Sequence, residues 1–157
     1  MNKIDLPVWQ KHQRFMARAF TLAEQAFEEG EVPVGAVLVY KGQIVGKGYN
    51  QVERLNDPTA HAEMIAISAA CETLAEKYLN DCTLYVTLEP CPMCAGAAFW
   101  SKLGGIVFGA VDPKSGGCGS IFNIASNQKL NHQVEVIHGV MEAESEHLMK
   151  EFFKSKR

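Results

Sequence analysis

The chain has 157 residues, 47% of them hydrophobic, which is enough for one compact domain, residues 1–157, with a single core. A formal net charge of −3 argues against clamping nucleic acid over a wide surface, because neutralising phosphates takes Lys and Arg. No apolar stretch approaches the roughly 20 residues of a membrane-spanning helix, and no secretory pattern opens the chain, so a soluble cytoplasmic protein with no membrane partner is expected.

From Trp9 to Glu29, the residues Met16, Ala19, Phe20, Ala23, Ala26 and Phe27 recur at three- and four-residue spacing before Gly30. That spacing predicts an amphipathic helix and its stop. Val34 to Tyr40 and Gln43 to Tyr49 read as strands joined through Lys41-Gly42 into an antiparallel hairpin. Leu55 to Thr59 reads as a polar loop, and a second helix is expected from about Thr59 to Leu74, entered through a capping Asp57 and Pro58.

Thr83 to Leu88 is β-rich, Pro92 to Ser101 is helical in composition, and Gly105 to Ala110 is a short apolar run. Strand, helix, strand implies parallel strands joined by a right-handed crossover. Val111 to Asn131 reads as loop with one short helix near Ile121 to Ala125. Val134 to Val140 is a last strand, and Met141, Ser145, Leu148, Met149 and Phe152 mark one face of a C-terminal helix.

Two segments carry the chemistry: His61-Ala62-Glu63 and Glu89-Pro90-Cys91-Pro92-Met93-Cys94, each at the start of a helix. Pro92 suits a first helical turn, so Cys91 and Cys94 fall on one face at the N-terminus, where partial positive charge favours thiolates. Two thiolates offset the charge of one Zn²⁺, and His61 adds a neutral third ligand. Three protein ligands leave one tetrahedral position for water, the arrangement of a catalytic zinc. Glu63 is too close in sequence to His61 to share its helical face, so both serve one site only at a helix end. There Glu63 is a proton carrier for attack on an aromatic C–NH₂ carbon, not a ligand. With five cysteines, a secreted disulfide framework is a poor reading. Cys71 and Cys82 read as core residues and Cys118 as a loop thiol that could compete for metal.

His-x-Glu followed by Pro-Cys-x-x-Cys is the signature of zinc nucleobase deaminases. Together with Glu31-Val32-Pro33-Val34-Gly35-Ala36-Val37 and the run Phe108-Gly109-Ala110 with Asp112, Lys114, Gly116, Gly119 and Ser120, it resembles the bacterial tRNA-specific adenosine deaminases of the cytidine/deoxycytidylate deaminase superfamily. The similarity runs from about Trp9 to Phe153; Cys118 stands where the family usually has a small non-thiol residue.

The resemblance implies a three-layer αβα cytidine-deaminase-like fold, a five-stranded mixed sheet flanked by helices, and a homodimer that acts on a tRNA anticodon loop. Adenosine at the wobble position would become inosine. By the same resemblance Asn50 would hydrogen-bond the nucleoside, Val32 would pack on the base, and Phe152 with the basic tail would approach flanking nucleotides. Each has a plainer role: Asn50 ending a hairpin strand, Val32 and Phe152 packing. Asp112 is read either as accepting from a ribose 2′-hydroxyl or as a turn former before Pro113. Lys150, Lys154, Lys156 and Arg157 outnumber Glu151 at the C-terminus, which serves either a local RNA contact or a solvated helix end. A small-molecule deaminase acting on guanine, cytosine or a nucleoside is the nearest rival, and a redox or structural-zinc protein is the rival from another class.

Overall fold

The computed structural model describes residues 6–156. In chain order the elements are α1 (Leu6–Glu28), β1 (Gly35–Tyr40), β2 (Gln43–Tyr49), α2 (Val52–Leu55), α3 (Ala62–Leu74), β3 (Cys82–Leu88), α4 (Pro92–Trp100), β4 (Gly105–Ala110), β5 (Glu135–Ile137) and α5 (Glu142–Ser155). The strands form one five-stranded sheet in the order β2-β1-β3-β4-β5. β1 runs antiparallel to β2 and β3, whereas β3, β4 and β5 are mutually parallel, as the strand–helix–strand pattern predicts.

Alternation along the central strands buries both faces of the sheet. Leu38, Leu84, Val86, Ile106 and Phe108 point into one cluster with Ala66 and Ala70 of α3 and Ala95 and Ala98 of α4. Val37, Val39, Tyr85 and Val107 point into the other with Phe15, Met16 and Ala19 of α1. Two buried faces explain why β1 and β4 read as continuous apolar runs rather than as alternating ones. Lys41 and Gly42 turn the β1–β2 hairpin with φ of 48° and 77°, the pair of left-handed residues that a two-residue hairpin needs.

The glycines of β2 set the depth of α3. A Cβ on Gly48 would collide with the Ala62 carbonyl oxygen and lie 2.9 Å from the Ala66 nitrogen, and one on Gly46 would strike Ala66 and Ala70 in the same way. Only hydrogen at these positions lets the helix backbone rest on the strand, which fixes the height of the α3 N-terminus above the sheet edge.

Four expectations change. The second helix begins at Ala62 rather than Thr59, because Asp57 spends its carboxylate on the Thr59 N–H (2.8 Å) and hydroxyl (2.7 Å), closing a local turn instead of capping a helix. A short helix, α2, precedes the expected polar loop. No helix forms at Ile121 to Ala125; an isolated bridge between Cys118 and Asn123 closes the loop there. The last strand is only Glu135–Ile137. Among the described residues no helix is long and apolar enough to cross a membrane.

Candidate metal centre and active site

α3 and α4 begin side by side at the C-terminal edge of β3, and their first residues converge. His61 is the residue before the first turn of α3, with extended backbone (φ −74°, ψ 152°), and Cys91 holds the matching position in α4 (φ −70°, ψ 172°). Because His61 is not yet helical, the rule separating i from i+2 does not bind it, and Glu63 in the first turn faces the same cavity. Cys94 is the third residue of α4, within the first turn that Pro92 opens.

The His61 Nδ1 atom lies 3.6 Å from the Sγ of Cys91 and 3.6 Å from the Sγ of Cys94. Zn–N and Zn–S bonds at tetrahedral angles give an N···S edge of about 3.6 Å, so the three donors already stand at ligand spacing. All three donor atoms lie within 4.8 Å of one another, and among the described residues no other His, Cys, Asp or Glu joins the group. Cys118 therefore supplies no fourth ligand, which removes the structural-zinc reading; buried beside the carboxylates of Glu89 and Glu63, its thiol is pushed up to about 12. Cys71 and Cys82 stand apart from the cluster as well, with Cys82 in the core.

The protonation pattern fits a dication. The Cys94 thiol donates to Cys91, which, helped by His61 and against its burial, brings Cys91 down to about 4. The same contact and burial push Cys94 upward. His61 is raised by its contact with Cys91, against the opposing effect of burial. Two sulfurs sharing one proton next to an imidazole are the donor set that a zinc ion replaces that proton to bind. Burial pushes Glu63 up to about 7, the range suited to a group that must both take and give a proton.

The cavity over these residues measures about 680 Å³ and is lined by Val32, Asn50, His61, Glu63, Cys91, Asp112 and Phe152; of the residues expected at the site from the sequence, only Cys94, fully buried behind His61 and Cys91, does not border it. Their side chains are not all free. Asn50, 7% exposed, donates from Nδ2 to the Val32 carbonyl (3.3 Å) and accepts from the Val52 N–H (3.3 Å). The Asp112 carboxylate accepts the N–H groups of Lys114 (3.0 Å) and Ser115 (3.2 Å) and the Ser115 hydroxyl (2.8 Å). Phe152 packs edge-on against Phe27 and Phe153 and is 6% exposed. Phe153, half exposed, lines a neighbouring groove with Lys150 and Lys154. Lys156 reaches the main cavity, while Arg157 lies outside the described residues.

Sequence reasoning missed what holds the cavity walls. Glu31, 2% exposed, accepts the N–H groups of Glu53 (2.9 Å) and Arg54 (2.8 Å) and so anchors the start of α2. Glu89, also 2% exposed, accepts from the N–H groups of Asp112, Cys118 and Ser120 and from the Ser120 hydroxyl. Burial opposes its ionisation, and these hydrogen bonds outweigh it, holding the carboxyl below its usual range. An acid at the end of an apolar strand, as in Leu88-Glu89-Pro90, was the available signal: once buried, it has to find donors.

Residues 9–110 match the cytidine and deoxycytidylate deaminase zinc-binding region. The chain belongs to that family. Zinc is accordingly the cofactor of this deaminase, and His61, Cys91 and Cys94 are placed to hold it. The deaminase is 51% identical to the tRNA-specific adenosine deaminase of Aquifex aeolicus over 91% of this chain and 94% of that protein. A solved structure from a study of A-to-I editing by tRNA:A34 deaminases at the wobble position of transfer RNA superposes with a TM-score of 0.82 at 41% identity, covering 86% of this chain and 98% of the other. The guanine deaminase of Bacillus subtilis superposes with a TM-score of 0.61 at 45% identity, over 64% of each chain. The five-stranded mixed sheet with helices on both faces is thus the cytidine-deaminase-like fold.

Proposed function

We propose that this protein hydrolyses adenosine to inosine at the wobble position of a tRNA anticodon loop. The observation that carries the chemistry is the His61–Cys91–Cys94 cluster, with no fourth donor among the described residues, and the buried Glu63 beside it. The observation that carries the substrate is 51% identity over nearly the whole chain to a protein bearing that name, whereas the guanine deaminase of Bacillus subtilis, at 45% identity, is matched over only 64% of this chain.

Zinc held by His61, Cys91 and Cys94 supplies a Lewis acid that activates water near neutral pH. The Glu63 carboxylate takes a proton from the attacking water and delivers it to the ring nitrogen next to the C–NH₂ carbon. It then carries a second proton to the departing amine. A C–O bond forms, the C–N bond breaks, and ammonia leaves, so one adenosine and one water give one inosine and one ammonia. Asn50 and Val32 form the wall beside the base, Asp112 faces the ribose, and Phe152 with Lys156 closes the side toward neighbouring nucleotides. A cavity of 680 Å³ falls in the range of small-ligand sites, so it takes one flipped nucleoside and not a helix.

The protein works as a single domain in the cytoplasm and as a homodimer. Support for the dimer comes from α4, where Cys94, Ala95 and Ala98 face the core while Trp100 on the outer side is 73% exposed. An apolar helix with an exposed outer side fits burial by a second subunit.

The test is to incubate zinc-loaded protein with an anticodon stem-loop carrying adenosine at the wobble position, and in parallel with guanine, cytosine and free adenosine. Inosine forming in the stem-loop is expected. Ammonia released only from a free base would overturn the reading in favour of a small-molecule deaminase.

A further inference from the structure

Of the buried glutamates in the cavity wall, Glu89 spans the greatest distance along the chain. It sits just beyond β3, and its carboxylate crosses to the loop that follows β4. Oε1 accepts the Asp112 N–H (3.0 Å) and the Ser120 hydroxyl; Oε2 accepts the N–H groups of Cys118 and Ser120, each at 3.1 Å. One side chain therefore ties both ends of the 112–120 loop to the segment that leads into α4.

The loop is built around this carboxylate. A Cβ on Gly116 would collide with both Glu89 carboxylate oxygens, and one on Gly117 would come within 2.9 Å of the Cys91 carbonyl carbon. The Gly117 N–H donates to the Pro90 carbonyl at 2.7 Å. Cys91 does not depend on this contact for its place, because its own carbonyl begins the α4 ladder, accepting the Ala95 N–H at 2.9 Å. What depends on Glu89 is the other side: Asp112 and Ser115 border the cavity, Glu89 accepts the Asp112 N–H, and the Asp112 carboxylate in turn holds Ser115.

We propose that Glu89 is a positioning residue for the substrate, fixing the Asp112 end of this loop as a preformed wall of the cavity. A flexible loop would have to be ordered each time a substrate binds, and a wall that is already fixed avoids that cost. The identity of the substrate rests on the tRNA-deaminase reading; the anchoring of the loop rests on the hydrogen bonds alone.

The pattern of acceptors makes Glu89→Gln a selective perturbation. A Gln amide keeps one acceptor oxygen and turns the other into a donor. With its oxygen on the Oε2 side it still accepts from Cys118 and Ser120, and its NH₂ can donate to the Ser120 hydroxyl oxygen. The Asp112 N–H then faces a donor and loses its partner. The opposite flip would sacrifice two N–H groups, so the variant frees the Asp112 end and keeps the other.

The experiment uses the full-length, zinc-loaded protein and compares it with Glu89→Gln and Gly116→Ala, the latter displacing the carboxylate from the loop side. In Glu89→Gln we expect amide exchange at Asp112 to accelerate by at least about tenfold while Cys118 and Ser120 stay protected. Zinc content should be unchanged, and KM for the anticodon stem-loop should rise about tenfold with kcat altered by less than about threefold. Gly116→Ala should reproduce the KM rise. Unchanged Asp112 exchange with unchanged KM in both variants would overturn the proposal, and so would loss of zinc, which would assign Glu89 to holding Cys91. If the parent protein fails to deaminate the stem-loop, the substrate reading falls, and the exchange pattern alone upholds or overturns the anchor.

Discussion

Glu63→Gln exchanges one carboxylate oxygen for an amide nitrogen of nearly equal size at a side chain that is 4% exposed, so the fold and the metal ligands stay in place. On the proposed mechanism, what disappears is the proton carrier. A positioned acid or base contributes about 10²–10⁴-fold, and here one carboxyl serves two transfers in succession. Of the other acids that line the cavity, Glu31 and Glu89 are turned onto backbone N–H groups, Asp112 is held by Lys114 and Ser115, and Glu53 is exposed to solvent, without the burial that raises Glu63. The expected loss in kcat is therefore at least about 10³-fold, equivalent to about 4 kcal/mol on the barrier. The assay is single-turnover inosine formation in a wobble-adenosine stem-loop, with metal analysis on the same preparation. Zinc retained and turnover lost is the expected pair. Activity within about tenfold of the parent, with zinc in place, would remove Glu63 from the proton path and with it the mechanism above.

Cys91→Ser exchanges a soft thiolate for a hydroxyl that stays protonated, so zinc should be lost on dialysis against a weak chelator and activity with it, read by metal analysis. Gly48→Ala places a methyl group against the Ala62 carbonyl at the start of α3; we expect overpacking of about 1–3 kcal/mol and a lower thermal midpoint, together with weakened zinc retention because His61 moves with that helix end. An unshifted midpoint would mean that the strand or helix yields freely. His12, buried with its Nδ1 2.8 Å from the Tyr85 hydroxyl, has a pKa lowered by burial first and Lys11 second, with Glu135 opposing. A lowered folded-state value means that the unfolded chain binds the proton more readily, so this contribution is complete above the ordinary His pKa of about 6.5 and lost as the pH falls below it. Denaturant midpoints of the parent should fall more steeply between about pH 6.5 and 5 than those of His12→Gln; parallel curves would refute this.

The sequence by itself singled out the three residues placed to hold the metal and most elements of the fold. Periodicity placed α1, α5 and the hairpin, because burial on one helix face or in a strand leaves a repeating signal in the residues themselves. His61, Cys91 and Cys94 were legible because metal chemistry restricts the residue types and places them at helix starts that Pro92 and the preceding strand mark. The tertiary structure alone decided how the cavity is walled. The strand end Leu88-Glu89-Pro90 marks Glu89 as an acid that must find donors but not which distant segment supplies them, nothing local to Glu31 does even that, and Asp57 carried a capping signal that a nearer turn absorbed. The start of α3, the fate of the 112–120 loop and the burial of Phe152 against Phe27 follow from which backbone donors and apolar surfaces meet in space, and a hydrogen bond or packing contact between distant segments leaves no spacing in the sequence to read.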